Sequence, residues 1–173
     1  MPSDFPGAFT ALRQILQKNA AGMVVQTDTP THFIVITRAI GPNKKPLWFG
    51  AAMIQKSAVT FHLVPLYFNP VLQSAVPQEL LARKQGKTCF NFQRPDKALF
   101  AKLESLTKRA RATWESSGFL EPGPVPQERF DAALRAAGED PGALEQRRAK
   151  VGKAAAAKRA ATVRKKKSRA ATA

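Results

Sequence analysis

Apolar side chains recur near the start of the chain at spacings of four, three and four: Phe5, Phe9, Leu12 and Leu16, with Ile15 beside them. One helical stripe over 4–20 is predicted. Ser3 or Asp4 is placed to cap its start and Gly22 to end it. Arg13, Gln14, Gln17 and Lys18 fall away from the stripe. The period then shortens. Residues 23–26 and 32–37 read as strands on either side of a turn cluster at 28–31, the second apolar on both faces and so expected to be central and doubly covered. After a polar turn at 41–46, residues 47–54 and 58–66 read as an antiparallel pair. Val59, Phe61 and Leu63 share one face of the return strand, and Thr60, His62 and Val64 the other. Pro65 ends that strand or puts it at an edge, because it has no N–H to donate.

A helical turn from Pro70 and a short helix over 78–83, with Pro77 at its first position, are expected next. A last strand over 88–93 points Phe90 and Phe92 one way and Cys89 and Asn91 the other. Asp96 is placed to cap a strong helix whose stripe is Leu99, Leu103, Leu106, Ala110 and Trp114, with Phe100 alongside. Residues 121–126 hold three prolines and a glycine and read as a linker. A small helix over 127–137 shows Phe130, Ala133, Leu134 and Ala137 on one side and stops at Gly138, and Pro141 opens another. Beyond Leu144 the only apolar residues larger than alanine are Val151 and Val163, so the end of the chain cannot build a core. The expected fold class is α+β: an antiparallel sheet of about five strands with N-terminal and C-terminal helices packed on it, followed by a helical or disordered basic tail.

Charge divides the chain. Residues 1–120 carry 15 basic and 6 acidic side chains, 121–146 carry 2 and 6, and 147–173 carry 11 and none. These breaks give the expected domains: an α+β domain over 1–120, a proline-rich linker with short helices over 121–146, and a Lys/Ala-rich tail over 147–173. The whole chain has a formal net charge of +16 in 173 residues. Such a balance points to phosphate polyanions as partners rather than to any fold. The single cysteine excludes an internal disulfide framework. No run reaches the ~18 apolar residues that span a bilayer, and the N-terminus lacks a basic region followed by an apolar one. A cytoplasmic or nucleoid-associated protein is expected.

The segments Phe61-His62-Leu63-Val64-Pro65-Leu66-Tyr67 and Gly86-Lys87-Thr88-Cys89-Phe90-Asn91-Phe92, with the helix opening at Asp96, resemble the YdhG-like family of small bacterial domains over roughly residues 5–118. The resemblance implies a small α+β fold. Some members of that family are described as frataxin-like iron chaperones. Iron favours carboxylate and imidazole ligands, but the acids here are scattered as Asp4, Asp28, Glu79, Asp96, Glu104 and Glu115, with no acidic ridge. The iron role is therefore not carried over. The tail lies outside the family pattern and resembles the Lys/Ala-rich tails of linker histones and bacterial histone-like proteins.

The tail carries the strongest functional expectation. Lys158, Arg159, Arg164, Lys165, Lys166, Lys167 and Arg169 sit among alanines, which favour helix, while like charges hold the free segment extended. Phosphates would cancel that repulsion. Non-specific binding to nucleic acid, DNA first of all, is the expected function of a non-enzymatic protein. The tail has no Trp, Phe or Leu to insert into a membrane. The alternative is a small-anion or metal/iron-binding domain with the tail as accessory. Its ligand-binding groups would be His62, Tyr67, Lys87 and Asn91, with Lys56 and Arg83 nearby. Alternation can also bring Cys89 and His62 to one sheet face. A Cys–His nucleophile needs hydrogen-bond reach and an orienting third group, and Asn91, two residues from Cys89, does not make a catalytic arrangement. His32 and His62 are a poor metal motif without a third ligand. No catalytic residue, metal site or cofactor is expected.

Overall fold

The computed structural model of the chain describes residues 3–143. Met1–Ala137 form one compact unit and Gly138–Ala173 a second. Within the second, residues 141–143 begin a helix, and Asp140 Oδ1 accepts the Gly142 N–H at 2.9 Å. Residues 144–173, and with them the rest of the helix expected from Pro141 and the whole tail over 147–173, lie outside the described residues.

The compact unit is α+β, with an antiparallel sheet. Helix α1 (Phe5–Lys18) starts where the Asp4 carboxylate accepts the Gly7 N–H at 2.9 Å, satisfying a donor of the open first turn. Ala8, Phe9, Leu12, Ile15 and Leu16 are its buried stripe. The helix stops at Lys18, before Gly22. Buried Asn19 closes it, its Nδ2 donating to the Ile15 carbonyl at 2.8 Å. Gly22, at φ +78°, serves the turn that follows, in a backbone region that costs glycine nothing.

Strands β1 (Val24–Asp28), β2 (His32–Ile40), β3 (Pro46–Ile54) and β4 (Val59–Leu63) form an antiparallel meander. Three short helices follow: α2 (Pro65–Phe68), α3 (Pro70–Ser74) and α4 (Gln78–Leu81). The chain returns as β5 (Lys84–Gln85) and β6 (Cys89–Phe92), β6 pairing with β4. Helix α5 (Lys97–Ser116), capped by Asp96 through the Leu99 N–H at 3.0 Å, packs beside α1. Strand β7 (Gly123–Pro124) and helix α6 (Gln127–Ala136) complete the unit. The sheet has seven strands in the order β1-β2-β3-β4-β6-β5, with β7 parallel beside β2. That is two more than the pattern predicts. Both additions, β5 and β7, are two residues long and too short to show alternation.

Cross-strand register sorts the side chains onto two faces, because directly paired residues lie side by side. One row runs Phe33, Ala52, Phe61, Phe90, and a parallel one Val35, Gly50, Leu63. These rows are 0–1 % exposed wherever a side chain is present. Helix α1 packs on them: a Cβ on Gly50 would lie 2.6 Å from Leu16 Cδ2 and 2.9 Å from the His62 carbonyl oxygen. Only glycine lets helix and sheet approach so closely. Phe49 is an extra residue, since Val35 faces Gly50 while Ile36 faces Trp48. The bulge turns Phe49 toward the helices, where its ring meets Trp114 edge-on at 6.0 Å.

Several expectations are corrected here. Strand β2 is fully covered on one face and unevenly on the other. Phe33, Val35, Thr37 and Ala39 are buried on the first, whereas on the second Ile36 is buried, His32 and Ile34 are half-buried and Arg38 is exposed. The double covering expected from the apolar run is thus confined to Ile36, and the flanking β-branched residue Ile34 reflects strand preference rather than complete burial. Strand β4 ends at Leu63, because Pro65 opens α2 in the first-turn position where a missing N–H costs nothing. Pro77 precedes α4 as its cap residue rather than standing inside it. Leu99 is half-buried, and Phe100 with Leu103, Leu106, Thr107, Ala110 and Trp114 forms the buried side of α5.

The segment read as a linker is built into the body. Gly123 and Pro124 pair with Ala39 and Ile40, and the Val125 N–H donates to the Ile40 carbonyl at 2.9 Å. Helix α6 then delivers Phe130, 3 % exposed, against Phe68 at 5.2 Å between ring centroids. Phe68 also meets Trp114 at 6.1 Å and Phe119 at 6.2 Å. This aromatic cluster joins β3, α2, α5 and α6. The prolines forbid a helix over 121–126, as expected, but they do not release the chain. Compactness therefore extends to Ala137 and not to residue 120.

Candidate functional site

Among the described residues the helices gather on one side of the sheet, and the opposite face carries three rows. Val24, Ile36 and Trp48 form the first, Thr27, Ile34, Ala51, His62, Cys89 and Gln85 the second, and His32, Met53, Thr60 and Asn91 the third. Trp48 is 40 % exposed and Val24 equally so. Met53, Thr60, His62, Cys89 and Asn91 are half-buried by one another.

The polar members of this face satisfy each other. Thr60 Oγ1 donates to Asn91 Oδ1 at 2.8 Å, and Asn91 Nδ2 donates to Gln85 Oε1 at 2.7 Å. His62 Nδ1 lies 3.1 Å from Cys89 Sγ, and Thr88 Oγ1 is 3.5 Å from the same sulfur. Burial pushes the His62 imidazole below its ordinary range, because a charged ring would lose hydration there. The ring is therefore neutral at neutral pH, and with its proton on Nε2 it presents a lone pair at Nδ1 to the thiol.

The four expected ligand groups do not converge. His62 and Asn91 share the sheet face, in adjacent rows. Tyr67 stands on α2 and Lys87 in the turn between β5 and β6, and these two meet each other, with Lys87 Nζ 5.2 Å from the centre of the Tyr67 ring. Lys56 is exposed in the turn between β3 and β4. Arg83 lines a small cleft with Phe92, Arg94 and Asp96, on the side where Phe92 is buried. His32 and His62 lie on one face but on strands separated by β3 and in different rows, about 12 Å apart from two strand spacings and a two-residue offset. No group of three or more His, Cys, Asp or Glu side chains placed to hold a metal ion occurs among the described residues. The tail residues Lys158, Arg159, Arg164, Lys165, Lys166, Lys167 and Arg169 lie outside the described residues.

Charge is segregated in three dimensions, which the linear pattern does not reveal. All six acids of the first 120 residues are engaged at α1 or α5. Asp4 and Asp96 cap these helices. Arg13 of α1 grips Asp28 through Nε and Nη2, at 3.0 and 2.6 Å, and Lys18 holds Glu104 at 3.1 Å. On α5, Lys102 bonds Glu79 at 2.5 Å and Arg111 reaches Glu115 at 3.4 Å. These partners hold Asp28 and Glu79 below the usual carboxylate range, through a hydrogen bond from the cation in each case. The three sheet-face rows contain no carboxylate. Arg38 and the turn lysines Lys44, Lys45 and Lys56 have no acidic partner among the described residues.

No protein-family model, no curated protein and no solved structure matches this chain. No helix among the described residues is long and apolar enough to cross a membrane.

Proposed function

We propose that this chain is a non-enzymatic nucleic-acid-associated protein that binds through non-specific phosphate contacts. The observation that carries this reading is the distribution of charge. Eleven basic and no acidic side chains fall in the last 27 residues. In the compact unit, the carboxylates up to residue 120 are drawn to the two long helices and leave the open sheet face without one. A polyanion approaching from that side meets Arg38 and hydrogen-bonding groups, with no carboxylate to repel it.

The tail supplies most of the affinity, through Lys158, Arg159, Arg164, Lys165, Lys166, Lys167 and Arg169. It has no side chains suited to reading base edges, so affinity is set by phosphate density rather than sequence. Trp48, exposed on the acid-free face, offers a ring on which an unstacked base can lie. The reading as a small-anion or iron-binding domain has less support, because its four groups fall into separate local contacts and not around one cleft.

The test is a fluorescence titration of duplex DNA with the full chain and with residues 1–146. If ~6–10 tail charges meet phosphates, full-chain affinity falls by about 10³–10⁵ between 50 and 200 mM salt. The truncated chain should bind weakly and with a shallow salt slope. Equal affinity and equal slope for the two would refute the role of the tail.

A further inference from the structure

Cys89 and His62 form a direct cross-strand pair on adjacent strands, β6 and β4. Register therefore fixes their neighbourhood, and a one-residue slip would part them. Sulfur and Nδ1 are 3.1 Å apart, within the reach a nucleophile and its base require. The pair lies on the face that no helix covers among the described residues, and Cys89 is only half-buried. The side chains around it, Ala51, Gln85, Thr60, Asn91 and Thr88, whose Oγ1 lies 3.5 Å from the sulfur, are uncharged. The nearest titratable group along the chain is Lys87, held over Tyr67. His62 is thus the group placed to control the thiol.

We propose that Cys89 and His62 are a nucleophile–base pair, a modification site at which the thiol adds to electron-poor alkenes of the α,β-unsaturated carbonyl class. As the sulfur forms its bond to the β-carbon, Nδ1 of His62 takes the S–H proton. The alkene π electrons move toward the carbonyl, and the α-carbon then recovers a proton from the imidazolium. The product is a thioether, with no leaving group and no change of redox state beyond the addition itself. Depression of the His62 pKa by burial keeps the base form available below neutral pH. Nδ1 of His62 stands within hydrogen-bond reach of the sulfur, so the proton can pass to it as the carbon–sulfur bond forms.

The chain has one cysteine, so every adduct reports Cys89. The experiment follows alkylation of the full chain by N-ethylmaleimide, by mass spectrometry, from about pH 5.5 to 8.5, the span in which His and Cys ordinarily titrate. At about pH 6.5 the wild type should react about 100-fold or more faster than N-acetylcysteine, the low end of what a positioned base supplies. His62→Gln should lose that advantage, and Thr60→Ala, on the same face, should keep it within about twofold. A wild-type rate that only tracks the titration of a free thiol, or a His62→Gln rate equal to wild type, overturns the proposal. Should His62→Gln fail to fold, the wild-type pH profile against N-acetylcysteine decides alone.

Discussion

The two faces of the sheet are built from the same strands by opposite rules. On the helical face every second residue is a large apolar group that is almost wholly buried, as in Phe33, Phe61, Phe90 and Phe92. On the other face the same strands place Thr60, His62, Cys89 and Asn91, half-exposed and bonded mainly to one another. Burial of one such side chain is worth about 1.5–3 kcal/mol, whereas a hydrogen bond contributes about 1 kcal/mol net. One face therefore holds the fold together, and the other is free to carry chemistry and charge. Alternation along a strand is what allows the two roles to coexist at neighbouring positions.

The sharpest way to break this comparison is to exchange adjacent residues of β4. Phe61→Ala should destabilise by about 3–5 kcal/mol in urea unfolding, since the surrounding core cannot close the cavity. Thr60→Ala, one residue away, should cost no more than about 1.5 kcal/mol, the scale of its bond to Asn91. Equal losses at the two positions would mean that the second face is packed after all. Phe130→Ala should cost about 3 kcal/mol, measured in the same way. This extends the comparison to the chain end, because a residue beyond a true linker would cost nothing.

Gly50→Ala should follow at about 1–3 kcal/mol. Its added methyl would meet Leu16 on one side and the His62 backbone carbonyl on the other, and the carbonyl is fixed by the strand. The smallest expected effect is the pH dependence of His62. The native imidazole binds its proton less readily than the unfolded one, so the unfolded chain takes up more protons as the solution is acidified. The neutral ring's share of stability is present above the ordinary histidine pKa of about 6.5 and is lost as pH falls from there toward the native value. His62→Gln should flatten the stability curve in that window. Steepening that survives the substitution would assign it to other groups, although Asp28 and Glu79 titrate lower, in the acid range.

Much of the framework is legible in the residues. The stripe from Phe9 to Leu16, the alternation at 59–63 and 89–92, and the capping Asp4 and Asp96 each report a local regularity that survives folding. The candidate site is legible only in part. Alternation brings His62, Cys89 and Asn91 to one face, but register alone sets the 3.1 Å approach of Cys89 to His62 and ties Asn91 to Thr60 and Gln85. Lys87 and Tyr67, which the sequence groups with His62 and Asn91, meet each other instead. The exposure of Trp48 is not legible in the residues, because the bulge at Phe49 leaves no trace in the local pattern.

The sequence by itself determined the class of fold, the strand faces and the charge of the chain end, since these depend on period and composition. Tertiary structure decided that the proline-rich stretch after Phe119 is part of the body, through a two-residue parallel pairing and the Phe68–Phe130 contact. It also decided that the acids of the first 120 residues are all engaged at the two long helices. Periodicity reports a residue's own environment within one element. Pairings between distant segments, and the side of the molecule on which a carboxylate finds its cation, depend on how the elements meet.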